Sequence, residues 1–184
     1  CMDSNDDDMT ALVFKVRPRR AINVMIGPPA DPKDDARVLK LFFAKEGSHI
    51  CCGGSTAHMI SRYLNKPIIP VEDSGTDKVP AIATIEGMDL VTEGIITLQQ
   101  VADLAEQYVS DNRLSITINS GNDGVSLLCA YLFEQATDIN FFFGKAENTA
   151  NDDLDIGMDA KAIVINRLIS SLREMGKNVK ISRC

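Results

Sequence analysis

Long apolar runs, an excess of positive charge and cysteine pairs with CxxC spacing are all missing from this 184-residue sequence. No apolar run approaches the roughly 18 residues that a membrane helix needs, so we expect no membrane-spanning segment. Acidic residues outnumber basic ones by 26 to 19, and the net charge of -7 opposes attraction to phosphate backbones and anionic lipids. Neither nucleic acid nor a membrane is therefore expected as a partner.

The five cysteines show no disulfide framework. Their number is odd, and no pair has the CxxC spacing typical of a thiolate metal site. Cys51 and Cys52 lie in a predicted buried strand, and Cys129 lies on the apolar stripe of a predicted helix. Because no export signal stands at the N-terminus either, the sequence favours reduced, structural cysteines in a cytoplasmic protein.

What is present is an alternation of strand-length apolar stretches with segments of helical periodicity. Two successive strand-helix units early in the chain favour a parallel sheet with helices packed on it. We predict an α/β fold over residues 21–184, with a mostly parallel, Rossmann-like three-layer arrangement. The predicted strands are Ile22–Ile26, His49–Cys52, Ile68–Val71, Ala81–Ile85, Ile139–Phe143 and Val179–Ser182, and predicted helix starts include Asp31, as an N-cap, and a capping box at Thr97.

Residues 1–20 do not follow this pattern. An acidic run precedes Ala11–Val16, a short apolar stretch that predicts one orphan β-strand before the α/β domain, and a basic linker follows it. An unpaired apolar strand exposes backbone groups and an apolar face. We therefore expect it to pair with another strand, across a homodimer.

Several motifs resemble a known family. DDMT followed by ALVFKV is similar to the closing strand of the PP2C-type protein phosphatases, particularly the SpoIIE-like serine phosphatases of bacteria. IGPPADPKDD, CCGGSTAHMISRYL, IEGMDLVTEGIITL and INFFFGKAENTAN resemble the C-terminal extension that accompanies some of these enzymes.

The resemblance implies that residues 1–20 are the remnant of a phosphatase strand plus a linker, and that residues 21–184 are the extension. It matches Asp7 to a ligand of the catalytic Mn/Mg pair of a parent enzyme that acts on phosphoproteins. The other metal-binding motifs of that family are missing from this sequence, so we expect it to have no phosphatase activity alone.

A glycine turn between a predicted strand and a predicted helix is the first candidate site. Gly53, Gly54, Ser55 and Thr56 combine free helix N–H groups, close backbone approach and two hydroxyls, which suits a phosphate or carboxylate. The alternative is a tight turn in which Ser55 or Thr56 only caps the helix. The turn is neither a Walker motif nor a complete GxGxxG.

Two further turns are expected at the same edge of the sheet. Gly27 and Pro28 follow the first strand, and ligands of open parallel sheets bind beyond the carboxyl ends of the strands. Gly144 ends a later strand, so that Lys145 and Asn148 could reach the same crevice and Lys145 could balance an anion. An ordinary surface lysine is the alternative.

A third cluster, Glu86 to Gly94, carries three carboxylates and a threonine. It could bind a cation or a substrate hydroxyl, but a helix-capping loop has the same composition and is favoured. His49 and His58 have no partners of a nucleophilic triad that the sequence can show, and we interpret them as packing or surface residues.

Three functions remain open. The favoured one is a regulatory or ligand-sensing domain of a phosphatase that binds a small anionic ligand at the Gly53–Thr56 turn. The second is a stand-alone enzyme that acts on a phosphorylated or carboxylated metabolite, and the third is a protein interaction module that dimerises.

Overall fold

The protein forms a seven-stranded sheet with helices on both faces. The computed structural model describes residues 12–14, 16–72, 74–75, 81–110, 121–144 and 158–184. The strands are β1 (Ala21–Ile26), β2 (Ser48–Cys52), β3 (Ile69–Pro70), β4 (Ala83–Thr84), β5 (Leu90–Thr92), β6 (Asp138–Phe143) and β7 (Asn178–Arg183). The helices are α1 (Asp35–Phe43), α2 (Gly54–Leu64), α3 (Ile95–Ser110), α4 (Gly124–Cys129), which continues as a π-helix over Ala130–Gln135, and α5 (Met158–Glu174).

The strand order is β3-β4-β5-β2-β1-β6-β7. β1 pairs in parallel with both β2 and β6, while β5 and β7 extend the parallel sheet on either side. The chain thus builds outward from β1 in one direction and then in the other, which is the order of doubly wound α/β sheets. The predicted α/β class with a mostly parallel, Rossmann-like sheet is confirmed.

Apolar side chains on the two faces of the sheet form two separate cores. Ile22, Val24 and Ile26 of β1 pack in the core under α3, α4 and α5, whereas Met25 packs in the core under α1 and α2. Because β1 is covered on both faces, nearly all of its residues are apolar, as expected for a central parallel strand. Within the described ranges, no helix is long and apolar enough to cross a membrane.

Asn23 is the one polar residue of β1, and its side chain is fully buried. Its amide group donates to the carbonyl oxygens of Glu46 (3.1 Å) and Ser48 (3.3 Å), and its carbonyl oxygen accepts from the amide of Asn140 on β6 (2.8 Å). These bonds satisfy the amide, so its burial between two central strands is tolerated.

One of the two predicted helix starts is observed, and the other is not. The Asp31 carboxylate accepts a hydrogen bond from the Lys33 N–H (2.9 Å) and caps a 3₁₀ turn that leads into α1, as predicted. The capping box predicted at Thr97 is wrong, because α3 begins at Ile95 and the Thr97 hydroxyl is buried with no hydrogen-bond partner among the described residues.

Two strand predictions also need correction. Leu90–Thr92, which the sequence suggested was part of a capping loop, forms β5, a buried strand beside β2. The sequence predicts that Ile68–Val71 extends the parallel sheet, but only Ile69–Pro70 forms a strand, and it pairs antiparallel with β4 at the edge. The three residues of Leu90–Thr92 are too few to show a strand period, and the antiparallel pairing of Ile69–Pro70 depends on the distant partner β4, which local composition does not show.

The predicted orphan strand is not observed. The described residues 12–14 and 16–20 form no strand, and the Phe14 and Val16 side chains are 83% and 96% exposed. The basic linker is instead attached to the domain, because Arg19 pairs with Asp138 (3.1 Å) and the Arg20 N–H donates to the Thr137 hydroxyl (2.8 Å). Pairing of the N-terminal segment across a homodimer stays a prediction.

Candidate functional site

A crevice of about 120 Å³ opens at the carboxyl ends of β1, β2, β5 and β6. It lies where the strand order reverses, between β1 and β6, which is the usual ligand position in open α/β sheets. Its lining comes from Ile26–Pro28, Cys52–Thr56, Glu93–Ile95, Leu98, Phe143–Gly144, Lys161 and Ile165.

The structure brings together most of the predicted site residues. Gly27 and Pro28 line the crevice on one side, and Gly53, Gly54, Ser55 and Thr56 line it on another. Lys145 and Asn148, predicted to reach the same place, lie outside the described residues, as does Asp7, the Mn/Mg ligand implied by the resemblance.

The Gly53–Thr56 turn joins β2 directly to α2. Gly53 is the N-cap, with φ 116° and ψ 138°, a conformation that side-chain-bearing residues rarely adopt. Gly54, Ser55 and Thr56 form the first turn of the helix, so their N–H groups have no acceptor within it. Three backbone donors are therefore presented at the crevice.

Thr56 connects this turn to the end of β1. Its hydroxyl accepts a hydrogen bond from the Gly27 N–H (2.9 Å) and donates to the Cys52 carbonyl (3.3 Å). Since the N-cap is Gly53 and no side chain caps the helix, the alternative in which Ser55 or Thr56 serves as the helix cap does not apply. Its role is to hold the two predicted turns side by side.

A second helix N-terminus opens into the same crevice. Gly94 precedes α3, and its carbonyl accepts the helical hydrogen bond from Leu98 (3.1 Å). The Gly53 N–H donates to the Thr92 carbonyl at the end of β5 (3.0 Å), and a Cβ on Gly94 would lie only 3.3 Å from the Gly53 Cα. The absence of side chains at these two glycines lets α2 and α3 begin next to each other.

Gly144 closes the crevice on the β6 side. Its N–H donates to the Ile26 carbonyl (2.9 Å), which extends the β1–β6 pairing past the last strand residue. A Cβ at Gly144 would overlap the carbonyl oxygens of Gly27 and Pro28, so glycine is required for the two turns to approach this closely.

The three carboxylates of the Glu86–Gly94 cluster are separated by the fold. Glu86 pairs with Lys66 on the surface (2.6 Å), and Asp89 accepts the backbone N–H of His49 (2.7 Å). Only Glu93 lines the crevice. In the part of the chain that the structure describes, no three histidine, cysteine or acidic residues converge as a metal site, so the proposed cation site is not supported there.

Glu93 and Lys161 are the charged side chains among the described residues of the crevice lining. The Glu93 Oε2 atom is buried and receives no hydrogen bond from any described residue. Lys161 forms no ion pair with a described carboxylate. The crevice therefore offers one negative and one positive group in addition to the two helix N-termini, and no described residue pairs with the Glu93 Oε2 atom or with the Lys161 ammonium.

The Cys52 thiol at the crevice is not activated as a nucleophile, and neither histidine lines the crevice. Burial raises the pKa of the Cys52 thiol to about 12, so this side chain is protonated at neutral pH. His49 does not line the crevice: its ring nitrogen contacts the Phe42 carbonyl (3.1 Å) and its ring packs edge-on against Phe42. His58 is exposed on α2 and does not line the crevice. The interpretation of both histidines as packing or surface residues agrees with these positions.

The sequence did not indicate Lys161 as a site residue, and it indicated Glu93 only as one of three carboxylates in the Glu86–Gly94 cluster, for which a capping loop was favoured. Glu93 follows β5 directly, and identifying that strand would have placed Glu93 at the carboxyl edge of the sheet. Lys161 lies four residues before Ile165 and thus on the inward side of α5, one turn ahead of another lining residue.

The sheet order alone does not assign an activity, because doubly wound α/β folds carry many unrelated functions. Comparisons with known protein families, with curated proteins and with solved structures find no match to this chain.

Proposed function

We propose that this domain binds a small anionic ligand in the crevice at the carboxyl ends of β1, β2, β5 and β6. The observation that carries the proposal is the convergence of two helix N-termini, those of α2 and α3, on one opening. Backbone N–H groups at such positions have no internal acceptor and are oriented to receive an anion.

The electrostatics favour an anion at the turn. Each helix end carries the equivalent of about half a positive charge, which falls off within the first turn. Lys161 adds a full positive charge at the lining, whereas Glu93 opposes it. The anionic group is therefore expected against Gly54–Thr56, where three backbone donors can contact it.

The size and walls of the crevice limit the ligand. Its volume of about 120 Å³ is below the roughly 300 Å³ at which pockets begin to hold drug-sized molecules. Ile95, Leu98 and Ile165 give it apolar walls. A charged group on a short carbon skeleton fits this description.

Sensing is favoured over catalysis by the chemistry of the lining. The Cys52 thiol is held protonated, and the Thr56 hydroxyl already has a donor and an acceptor. The resemblance to the extension of SpoIIE-like phosphatases supports a regulatory role for ligand binding in such a parent enzyme. The free cysteines Cys51, Cys52, Cys129 and Cys184 support a cytoplasmic location.

The test uses two substitutions at one position. Gly54 is the first residue of α2 and a Cβ there would meet no atom within 4 Å, so Gly54→Ala keeps both the helix and the N–H donor. Gly54→Pro also suits the first helical position but removes that donor. The ψ of 138° at Gly53 is compatible with a following proline.

Binding of inorganic phosphate and ethyl phosphate would be measured by isothermal titration calorimetry. We expect saturable binding to the unaltered chain, a change within about twofold for Gly54→Ala and a loss of about tenfold or more for Gly54→Pro, since a hydrogen bond to a charged group is worth roughly 1.5–3 kcal/mol. If the unaltered chain shows no saturable binding, or if both variants bind equally well, the proposed site is wrong.

A further inference from the structure

Glu93 is the unexpected group in a crevice suited to anions. A carboxylate next to two helix N-termini weakens the attraction of that opening for any negative ligand. The Glu93 carboxylate does not help to bind a ligand whose only polar group is negatively charged. Its presence indicates that the ligand carries a second, different group.

The Glu93 Oε2 atom is shielded from solvent and is given no hydrogen bond by the described residues. A buried carboxylate oxygen without a donor is costly, because the desolvation of the charge is not compensated. The nearby Thr92 hydroxyl does not relieve this cost, since it donates to the Glu93 backbone carbonyl (2.8 Å). Among the described residues no donor supplies this compensation, and a donor on a ligand bound in the crevice would supply it.

The other two carboxylates of the Glu86–Gly94 cluster both have hydrogen-bond partners. Glu86 has Lys66 as its partner, and Asp89 accepts the His49 N–H. Glu93, one residue before the α3 N-cap, is the exception, and it is the one that lines the crevice. The Oε2 atom that receives no hydrogen bond from the described residues thus belongs to the carboxylate at the candidate site.

We infer that the ligand carries a hydrogen-bond donor, a hydroxyl or an ammonium group, a short distance from its anionic group, and that Glu93 accepts this donor. The inference rests on the proposed function, since the anionic group is held by the α2 N-terminus. Glu93 then acts as the specificity-determining residue. It makes small hydroxylated or aminated phosphates or carboxylates bind more tightly than simple anions.

Three phosphate monoesters of equal chain length separate these contributions. Ethyl phosphate has no donor on its carbon chain, 2-hydroxyethyl phosphate carries a hydroxyl, and 2-aminoethyl phosphate carries an ammonium. Their dissociation constants would be measured for the unaltered chain, for Glu93→Gln and for Glu86→Gln. Glu86→Gln is the matched control, because it removes the same charge from an exposed side chain that does not line the crevice.

For the unaltered chain and for Glu86→Gln, we expect at least one of the two donor-bearing esters to bind about fivefold or more tightly than ethyl phosphate, as a charge-assisted hydrogen bond would give. In Glu93→Gln, we expect that preference to fall to about twofold or less, while ethyl phosphate binds as well as before or more tightly. Thermal unfolding of each variant verifies that the fold is retained. The better of the two esters identifies the donor as a hydroxyl or an ammonium.

The outcomes distinguish the two proposals. If none of the three esters binds the unaltered chain, both the proposed function and this inference fail. If all three bind equally well, or if Glu93→Gln keeps the preference for a donor-bearing ester, the anion site stands and the role assigned to Glu93 is wrong.

Discussion

The close approach of the two turns beside the crevice makes Gly144→Ala the most sensitive test of the described geometry. The added Cβ would overlap the carbonyl oxygens of both Gly27 and Pro28. These are backbone atoms, so no side-chain rotation can relieve the overlap. The ends of β1 and β6 would have to separate, which also strains the hydrogen bond from the Gly144 N–H to the Ile26 carbonyl.

The magnitude follows from these two effects. Overpacking a well-packed site costs about 1–3 kcal/mol, and a weakened hydrogen bond adds about 1 kcal/mol. We therefore expect Gly144→Ala to lower the free energy of unfolding by about 2–4 kcal/mol. For a domain of this size each kcal/mol lowers the Tm by roughly 2–4 °C, so the Tm should fall by about 4–16 °C.

Two control glycines separate steric overlap from backbone strain. Gly54 has open space around it and no positive φ, so Gly54→Ala should change stability by about 0.5 kcal/mol or less. Gly176 also has open space but a φ of +79°, so Gly176→Ala should cost about 1–2 kcal/mol from the left-handed conformation alone.

Urea unfolding followed by circular dichroism would rank the three variants. The expected order of destabilisation is Gly144→Ala, then Gly176→Ala, then Gly54→Ala. If Gly144→Ala is as stable as Gly54→Ala, the turns that follow β1 and β6 do not meet as described, and the crevice between them has a different shape.

Two further predictions concern titration and thiol reactivity. A hydrogen bond from Arg19 is the largest cause that lowers the pKa of Asp138, and a hydrogen bond from Thr137 is the next largest. The charged carboxylate therefore stabilises the folded chain above about pH 4. This stabilisation is lost as the pH falls through the lowered pKa. Asp138→Asn should thus reduce the urea midpoint at pH 7 and have no effect near pH 2, and an equal effect at both pH values would contradict the assignment. Burial raises the pKa of the Cys52 thiol to about 12 and shields it from reagents, whereas the Cys184 thiol is partly exposed. Iodoacetamide at pH 8 should therefore alkylate Cys184 well before Cys52 in the folded chain, as measured by peptide mass spectrometry. Equal rates in the folded chain would show that Cys52 is accessible.

Elements with a strong local signal could be predicted from the sequence. Ile22–Ile26 and Ile139–Phe143 are apolar over their whole length and both became central parallel strands, because burial on both faces removes the need for polar positions. Asp31 followed by Pro32 marked the first helical start, since capping depends only on neighbouring residues. The glycine turn after the second strand was placed correctly for the same reason.

Tertiary packing overrode the local signal elsewhere. Leu90–Thr92 is too short to show a strand period, and it forms β5 because β2 supplies a partner for its backbone. Once β5 is formed, the chain enters α3 at Gly94, so Thr97 falls inside the helix rather than at its cap. The apolar N-terminal stretch predicted a strand, but no described strand pairs with it.

What the sequence by itself determined is the layered α/β architecture and the position of each glycine turn at the end of a strand, because both depend on hydrophobic period and on backbone freedom at single residues. Only the tertiary structure decided that two helix N-termini meet, through the contact of Gly53 with Gly94. It also decided that Glu93, and not Glu86 or Asp89, faces the crevice together with Lys161. Such convergence depends on the pairing order of strands far apart in the chain, which local composition does not encode.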